Sequence, residues 1–199
     1  MSEAGETTRV VLVRHGETEW NARGVYQGWQ DVPLGARGVA QTMALARSLA
    51  GIAIDAAYTS PLSRARETAA AVLRGRGVVP VAVPELRELS YGVWEGLAPA
   101  PRRAAWGDLE DRWIADPWSV AFPEGESLGA LAARVLAVWD RIVAAHAGDT
   151  VLVSAHGHVN RVILLHAHGL PRDAFWSLDQ PNAGFVLLEC PPPTIQAAA

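Results

Sequence analysis

Arg9-Val10-Val11-Leu12-Val13-Arg14-His15-Gly16-Glu17-Thr18-Glu19-Trp20-Asn21 is the stretch on which the fold reading turns. Its apolar run, Val10 to Val13, does not alternate with polar residues, which is the pattern of a strand buried on both faces. Gly16 then lets the backbone turn without a Cβ penalty. Arg14 and His15 are therefore expected at the carboxyl end of a central strand, where open α/β sheets bind their ligands. A guanidinium and an imidazole beside a glycine turn form an anion receptor. The imidazole is in addition a nucleophile.

Outward from this stretch, strands alternate with helices. Gly24 to Leu34 is a glycine- and proline-punctuated loop containing Gln27, Gly28 and Trp29. Ala36 to Ala50 reads as an amphipathic helix stopped by Gly51. Ile52 to Thr59 reads as a strand. Ser60 is the expected N-cap and Pro61 the expected first residue of a helix running to about Arg74. That helix carries Arg64 in its first turn, where an arginine opposes the helix dipole unless it serves an anion held there. Val78 to Val83 is a third strand candidate. The loop Pro84 to Gly96 holds the carboxylates Glu85, Glu88 and Glu95. Residues 97–126 read as a helical excursion covering the site like a partial lid. Ser127 to Ala145 reads as a second long amphipathic helix. Thr150 to Ser154 is another apolar strand, ending in Ala155-His156-Gly157-His158 and followed by a helix from Val159 to about His168. Gly184 to Glu189 is a last strand. The pattern predicts a three-layer α/β/α sandwich with a mostly parallel central sheet. It divides the chain into a disordered tail at 1–8, one domain at 9–190 and a second disordered tail at 191–199.

Composition narrows the function classes. A length of 199 residues fits one sizeable core, and 19% charged residues is ordinary for a globular protein. A net charge of -4 with no basic stretch argues against nucleic-acid binding. No apolar run has membrane-spanning length. The polar start lacks the basic end and apolar core of a signal peptide, so the chain is expected to be cytoplasmic. The single cysteine, Cys190, excludes an intrachain disulfide and reads as an inert packed thiol. A homodimer is the default expectation for association.

Three strand-to-helix junctions deliver Arg14 with His15, Arg64, and His156 to one edge of a parallel sheet. Two arginines, two imidazoles and helix N-termini describe a receptor for a phosphoryl group, able to spread its charge without a metal. His156, His158, His166 and His168 do not make a zinc site on this reading, because their spacing sends the rings apart and no Cys or Asp joins them.

These motifs resemble the histidine phosphatase superfamily, the phosphoglycerate-mutase-like proteins. The resemblance rests on Arg14 to Thr18 with Trp20-Asn21; on Ser60, Leu62, Arg64, Ala65, Thr68 and Ala69; on Leu86, Glu88, Gly92, Glu95 and Gly96; and on Ala155-His156-Gly157. It implies that His15 is the nucleophile, forming a phosphohistidine, with its other ring nitrogen donating to a backbone carbonyl. It implies that Arg14, Arg64 and His156 hold the phosphoryl oxygens with help from the Asn21 amide. Glu88 would be general acid and then base, preferred over Glu85 and Glu95, its pKa raised by the phosphate and by Tyr91 and Trp94. The expected substrate-binding set is Arg14, His15, Asn21, Gln27, Gly28, Arg64, Glu88, His156 and Gly157, with no metal and no cofactor. Trp29, Trp94, Trp106, Trp113 and Trp118 are candidate pocket walls, although indoles in such a chain are more often core. The expected activity is metal-independent hydrolysis of a small phosphorylated metabolite. The alternatives are a phosphoglycerate mutase, for which the excursion looks short, and a non-enzymatic module that binds a phospho-ligand.

Overall fold

The computed structural model describes residues 6–191. A five-stranded sheet in the order β3-β2-β4-β1-β5 forms the middle layer. Its strands are β1 (Thr8–Arg14), β2 (Ala56–Thr59), β3 (Val81–Ala82), β4 (Thr150–Ala155) and β5 (Phe185–Cys190). The helices are α1 (Glu19–Ala22), α2 (Ala36–Ser48), α3 (Ser63–Leu73), α4 (Pro99–Ala115), α5 (Leu128–Ala145) and α6 (Gly157–Ala167). β1 runs parallel to β4, with Arg14 opposite Ala155, and antiparallel to β5. The predicted mixed sandwich is thus the observed one, with β5 as its antiparallel edge.

The unbroken apolar run of β1 is explained by its place. Alternate side chains enter opposite cores: Val10 and Leu12 pack with α5 and α6, Val11 and Val13 with α2 and α3. All four are fully buried. Each such side chain contributes about 1.5–3 kcal/mol of burial. β4 is buried along its whole length in the same way, so two adjacent strand ends, one carrying His15 and one leading into His156, face a common edge.

Several boundaries differ from those read in the sequence. Residues 1–5 and 192–199 of the two expected tails lie outside the described residues. Thr8, assigned to the N-terminal tail, instead opens β1, its hydroxyl 2.8 Å from the Val143 carbonyl and 2.9 Å from that of His146. Ser60 is not the cap of α3. Leu62 occupies that position, and the Ser60 hydroxyl lies 2.8 Å from His156 Nε2, where an imidazole from the end of the neighbouring strand β4 competes for it. α6 begins at Gly157, two residues earlier than expected, with His156 as its N-cap residue. A short helix, α1, was not foreseen; Thr18 and Asn21 close it with reciprocal side-chain-to-backbone bonds. The excursion at 97–126 contains α4, kinked at Trp106, and the turn Pro117–Ser119. Among the described residues no helix is long and apolar enough to cross a membrane.

Candidate active site

The end of β1 is fastened from three sides. The His15 amide donates to the Ala155 carbonyl (3.1 Å), and the His15 carbonyl accepts from the Ala183 amide (3.0 Å) and from Asn182 Nδ2 (3.2 Å). The Gly16 amide donates to Thr68 Oγ1 (3.1 Å), whose hydroxyl donates to the Arg64 carbonyl (2.7 Å). One threonine thus locks the His15 turn to the helix that bears Arg64. Gly16 also packs against α2. A Cβ on Gly16 would stand 2.7 Å from the Gly38 carbonyl oxygen, and one on Gly38 would stand 2.0 Å from that of Glu17.

Within this frame His15 is 3% exposed, and its Nδ1 lies 2.7 Å from the Gly16 carbonyl. An acceptor there fixes the proton on Nδ1 and leaves Nε2 with its lone pair. Burial, with Arg64 and Arg14 adding repulsion, holds His15 well below the usual imidazole range, so the ring is neutral. The His156 ring stands edge-on to it, centroids 5.1 Å apart. Burial followed by Arg64 keeps His156 neutral too. Its Nε2 meets Ser60 while its Nδ1 has no partner among the described residues.

Arg64 is wholly buried, and its NH1 and NH2 donate to the Gln30 and Gly28 carbonyls at 2.8 Å each. Burial lowers it to about 10, with Glu88 and Asp31 pushing back, so it stays cationic at neutral pH. Arg14 NH1 donates to the Gln180 carbonyl. The Nε of each arginine is buried with no partner among the described residues. Two guanidinium groups that keep unsatisfied donors beside two neutral imidazoles form a strong field for an anion.

A cavity of about 300 Å³ opens onto this cluster, lined by Arg14, His15, Asn21, Gln27, Gly28, Arg64 and Glu88, with Tyr26, Tyr91, Arg102 and His158. Seven of the nine residues expected to bind substrate therefore share one wall. His156 and Gly157 stand behind it, and a Cβ on Gly157 would lie 3.6 Å from Arg14 Nε. Asn21 gives its Oδ1 to the Thr18 amide (3.1 Å), which leaves its NH2 group for the cavity. The three carboxylates of the 84–96 loop separate cleanly. Glu85 pairs at 3.8 Å with Arg141 on α5. Glu95 Oε1 ties the loops together through the Trp29 and Tyr91 amides, at 3.0 and 3.1 Å. Glu88 alone reaches the cavity.

One expectation about Glu88 is overturned. Burial raises its carboxyl, but His158, then His156 and the Leu89 amide, outweigh this and hold it well below the usual carboxylate range. Tyr91 and Trp94 were expected to raise it. The cause of the reversal is His158, whose role the sequence left open: its Nδ1 lies 3.3 Å from Glu88 Oε2 and its backbone amide is equally close. Two other contributors escaped the sequence reading. Arg134 on α5 donates to the carbonyls of Glu85, Arg87 and Glu88 and so holds the loop in place. Ser60 holds His156. The tryptophans are mostly not wall: Trp94 and Trp113 are buried in the core, and Trp29 is 44% exposed, its indole bonded to the Glu88 carbonyl (2.8 Å).

Comparisons with known proteins agree with this geometry. The chain is 40% identical over 168 residues to a 2,3-bisphosphoglycerate-dependent phosphoglycerate mutase of Methylobacterium radiotolerans, covering 81% of this chain and 79% of that one. It is 31% identical over 180 residues to phosphoserine phosphatase 1 of Hydrogenobacter thermophilus, covering 90% and 85%. The solved structure of Bacillus stearothermophilus YhfR superposes with a TM-score of 0.86 at 34% identity, covering 90% of each chain. The family model for branch 1 of the histidine phosphatase superfamily matches residues 10–197, and the chain belongs to that superfamily.

Proposed function

We propose that this protein is a metal-independent phosphomonoesterase that hydrolyses a small organic phosphate through a phosphohistidine on His15. The observation that carries the reading is the state of His15: neutral, its Nδ1 bound to the Gly16 carbonyl, and its free nitrogen in a cavity shared with two arginines. That is an activated nucleophile already oriented toward an anion. Arg14 and Arg64 hold the phosphoryl oxygens, His156 backs them, and the Asn21 amide adds a donor. As Nε2 attacks phosphorus, the bond to the ester oxygen breaks and Glu88 delivers a proton to that oxygen. Glu88 then takes a proton from the water that cleaves the phosphohistidine. Gln27 and Gly28 border the remainder of the substrate.

Hydrolysis is preferred over mutase chemistry because of Arg102, the other arginine lining the cavity. Its Nε and NH2 pair with Glu110 (3.3 and 2.9 Å) and its NH1 with the Gly24 carbonyl (3.3 Å). A phosphoglycerate needs a second cation for its carboxylate, and this one is already engaged. The mutase is the second reading, supported by the 40% identity to a protein of that name. The length of the excursion does not decide between them, since that relative aligns over most of its own length.

p-Nitrophenyl phosphate hydrolysis by wild type and His15→Ala tests the enzyme reading. Loss of turnover in the variant, with an acid-labile phosphoenzyme trapped only in wild type, supports it; retained turnover overturns it. Phosphate binding without turnover by the wild type would leave a binding module. Incubation with 3-phosphoglycerate and a trace of 2,3-bisphosphoglycerate tests the partition. Inorganic phosphate without 2-phosphoglycerate supports hydrolysis, and the reverse makes the protein a mutase.

A further inference from the structure

A general acid must carry a proton when the leaving group departs, yet the Glu88 carboxyl sits in surroundings that favour its ionised form. The Leu89 amide donates to Oε1 (2.9 Å), and the His158 amide and ring Nδ1 both face Oε2 (3.3 Å each). The proton that Glu88 is to deliver must therefore be stored next to it.

We propose that His158 is a positioning residue that stores this proton and passes it to Glu88, so that Glu88 and His158 work as a two-group relay. The inference rests on the phosphatase reading above and deepens it.

The geometry around His158 suits a relay. The ring is 9% exposed and lines the same cavity as Glu88 and Tyr91. It is fixed in orientation by aromatic packing, stacked on Phe175 (centroids 5.6 Å apart, 28° between planes) and flanked by Trp113 and Trp176 at 5.6 and 5.8 Å. Its Nδ1 also lies 3.0 Å from the Tyr91 hydroxyl, which steadies the ring. The groups that face it can be named element by element. The 84–96 loop supplies Glu88 and Tyr91. α4 supplies the neutral Trp113, and the turn Arg172–Ser177 supplies the neutral Phe175 and Trp176. α6 supplies Arg161, whose guanidinium lies over Phe175 and Trp176 and whose Nε donates to the Leu178 carbonyl (2.9 Å). Arg14 lines the same cavity. Glu88 is thus the carboxylate that faces the ring from these elements.

The proton accounting closes. The relay begins with the transferable proton on His158 Nδ1, 3.3 Å from the Glu88 carboxylate oxygen Oε2. A phosphate dianion entering beside Glu88 raises the proton affinity of that carboxylate, and the proton on His158 Nδ1 moves to Oε2. The lone pair of His15 Nε2 bonds to phosphorus, the ester P–O bond breaks with its electrons on oxygen, and Oε2 gives that oxygen the proton. In the second half a water oxygen bonds to phosphorus, and the P–N bond breaks with its electrons returning to His15. One water proton goes to Glu88 and back to His158. One ester and one water become one alcohol and one hydrogen phosphate, and the dyad ends as it began.

His158→Asn tests this. An asparagine amide reproduces a donor near the Nδ1 position but carries no transferable proton, so it separates holding Glu88 from feeding it. The readout is kcat/KM on β-glycerophosphate, whose alkoxide needs a proton to leave, against p-nitrophenyl phosphate, whose phenolate does not. General acid catalysis is worth about 10²–10⁴-fold. The expected result is a fall of about tenfold or more on the alkyl ester, a fall under about threefold on the aryl ester, and a basic limb of the alkyl pH profile displaced to lower pH as Glu88 alone holds the proton. An equal fall on both esters, or an unmoved profile, overturns the relay. His158→Gln is the second variant should the first fold poorly by circular dichroism, with the same two readings. If His15→Ala retains turnover, the phosphatase reading fails first; if it is inactive and His158→Asn shows no split, the relay alone fails.

Discussion

Replacing Gly38 with alanine sets two effects of opposite sign against each other. Gly38 lies within α2, and alanine there improves helix propensity by about 1 kcal/mol. The new methyl would stand 2.0 Å from the Glu17 carbonyl oxygen and 2.9 Å from the Glu17 carbonyl carbon and amide nitrogen. All three are backbone atoms, so no rotamer relieves the contact. Helix and loop must part by roughly 1 Å. Overpacking of this kind costs about 1–3 kcal/mol and exceeds that where neither side can yield. The clash should therefore win by about 2 kcal/mol, which lowers Tm by about 4–8 °C for a chain of this size. The displaced segment follows Gly16, whose carbonyl sets the His15 tautomer, and a misplacement near 1 Å costs about 100-fold in rate. Differential scanning calorimetry and kcat/KM on p-nitrophenyl phosphate read both numbers. Gly51→Ala is the control, since no atom of the described residues lies within 4 Å of its added Cβ. A Gly38→Ala protein that melts higher than wild type with an unchanged rate would refute the claim that α2 seats the His15 turn.

Acid should destabilise the fold through its buried imidazoles. The folded-state pKa values of His15 and His156 are lowered, so the unfolded chain binds more protons and stability falls as pH drops below the ordinary imidazole value near 6.5. The limiting slope is about 1.4 kcal/mol per pH unit for each ring. Glu88, whose folded pKa is also lowered, acts with the same sign below the ordinary carboxylate value near 4.3. Denaturant melts from pH 7.5 to 4.5 measure the slope; a flat profile contradicts it. Ser60→Ala removes the hydroxyl on His156 Nε2 and is expected to weaken inhibition by inorganic phosphate about tenfold, read from competition assays. Arg134→Met strips donors from the carbonyls of Glu85, Arg87 and Glu88 and removes the cation paired with Glu126, which keeps only the Ser90 amide among the described residues. A stability loss of about 2–4 kcal/mol is expected by urea titration, with kcat falling as Glu88 drifts.

The framework was legible because doubly buried strands announce themselves. Val10 to Val13 and Val151 to Val153 read as unbroken apolar runs, and each ends in a histidine and a glycine. Arg14, His15, Asn21, Arg64 and Glu88, singled out from the sequence, line one cavity together with Gln27 and Gly28. Partners chosen by tertiary contact were hidden. His158 sits 70 residues from Glu88 in sequence, and Arg134 46 residues from it. No local periodicity joins such pairs, so the sign of the Glu88 shift was misjudged along with them. Ser60 looked like a cap because serine before proline usually is one, while the imidazole that claims it follows the end of the adjacent strand β4. Whether Trp94 and Trp113 were wall or core could not be read, because an apolar ring lining a cavity and one filling a core have the same sequence signature; both are core.

The placement of β1 has a consequence for how the protein comes into being. Both of its neighbours, β4 and β5, belong to the last third of the chain, so the earliest strand to leave the ribosome waits for nearly the whole of synthesis before it finds a companion. Contacts of such long sequence separation slow folding. Until they form, four consecutive branched or aliphatic side chains stand bare, a segment that sticks to others of its kind. A nascent chain halted before Thr150 is expected to cling to chaperones and to bind no phosphate, and release of the remaining residues should bring fold and anion affinity into existence together.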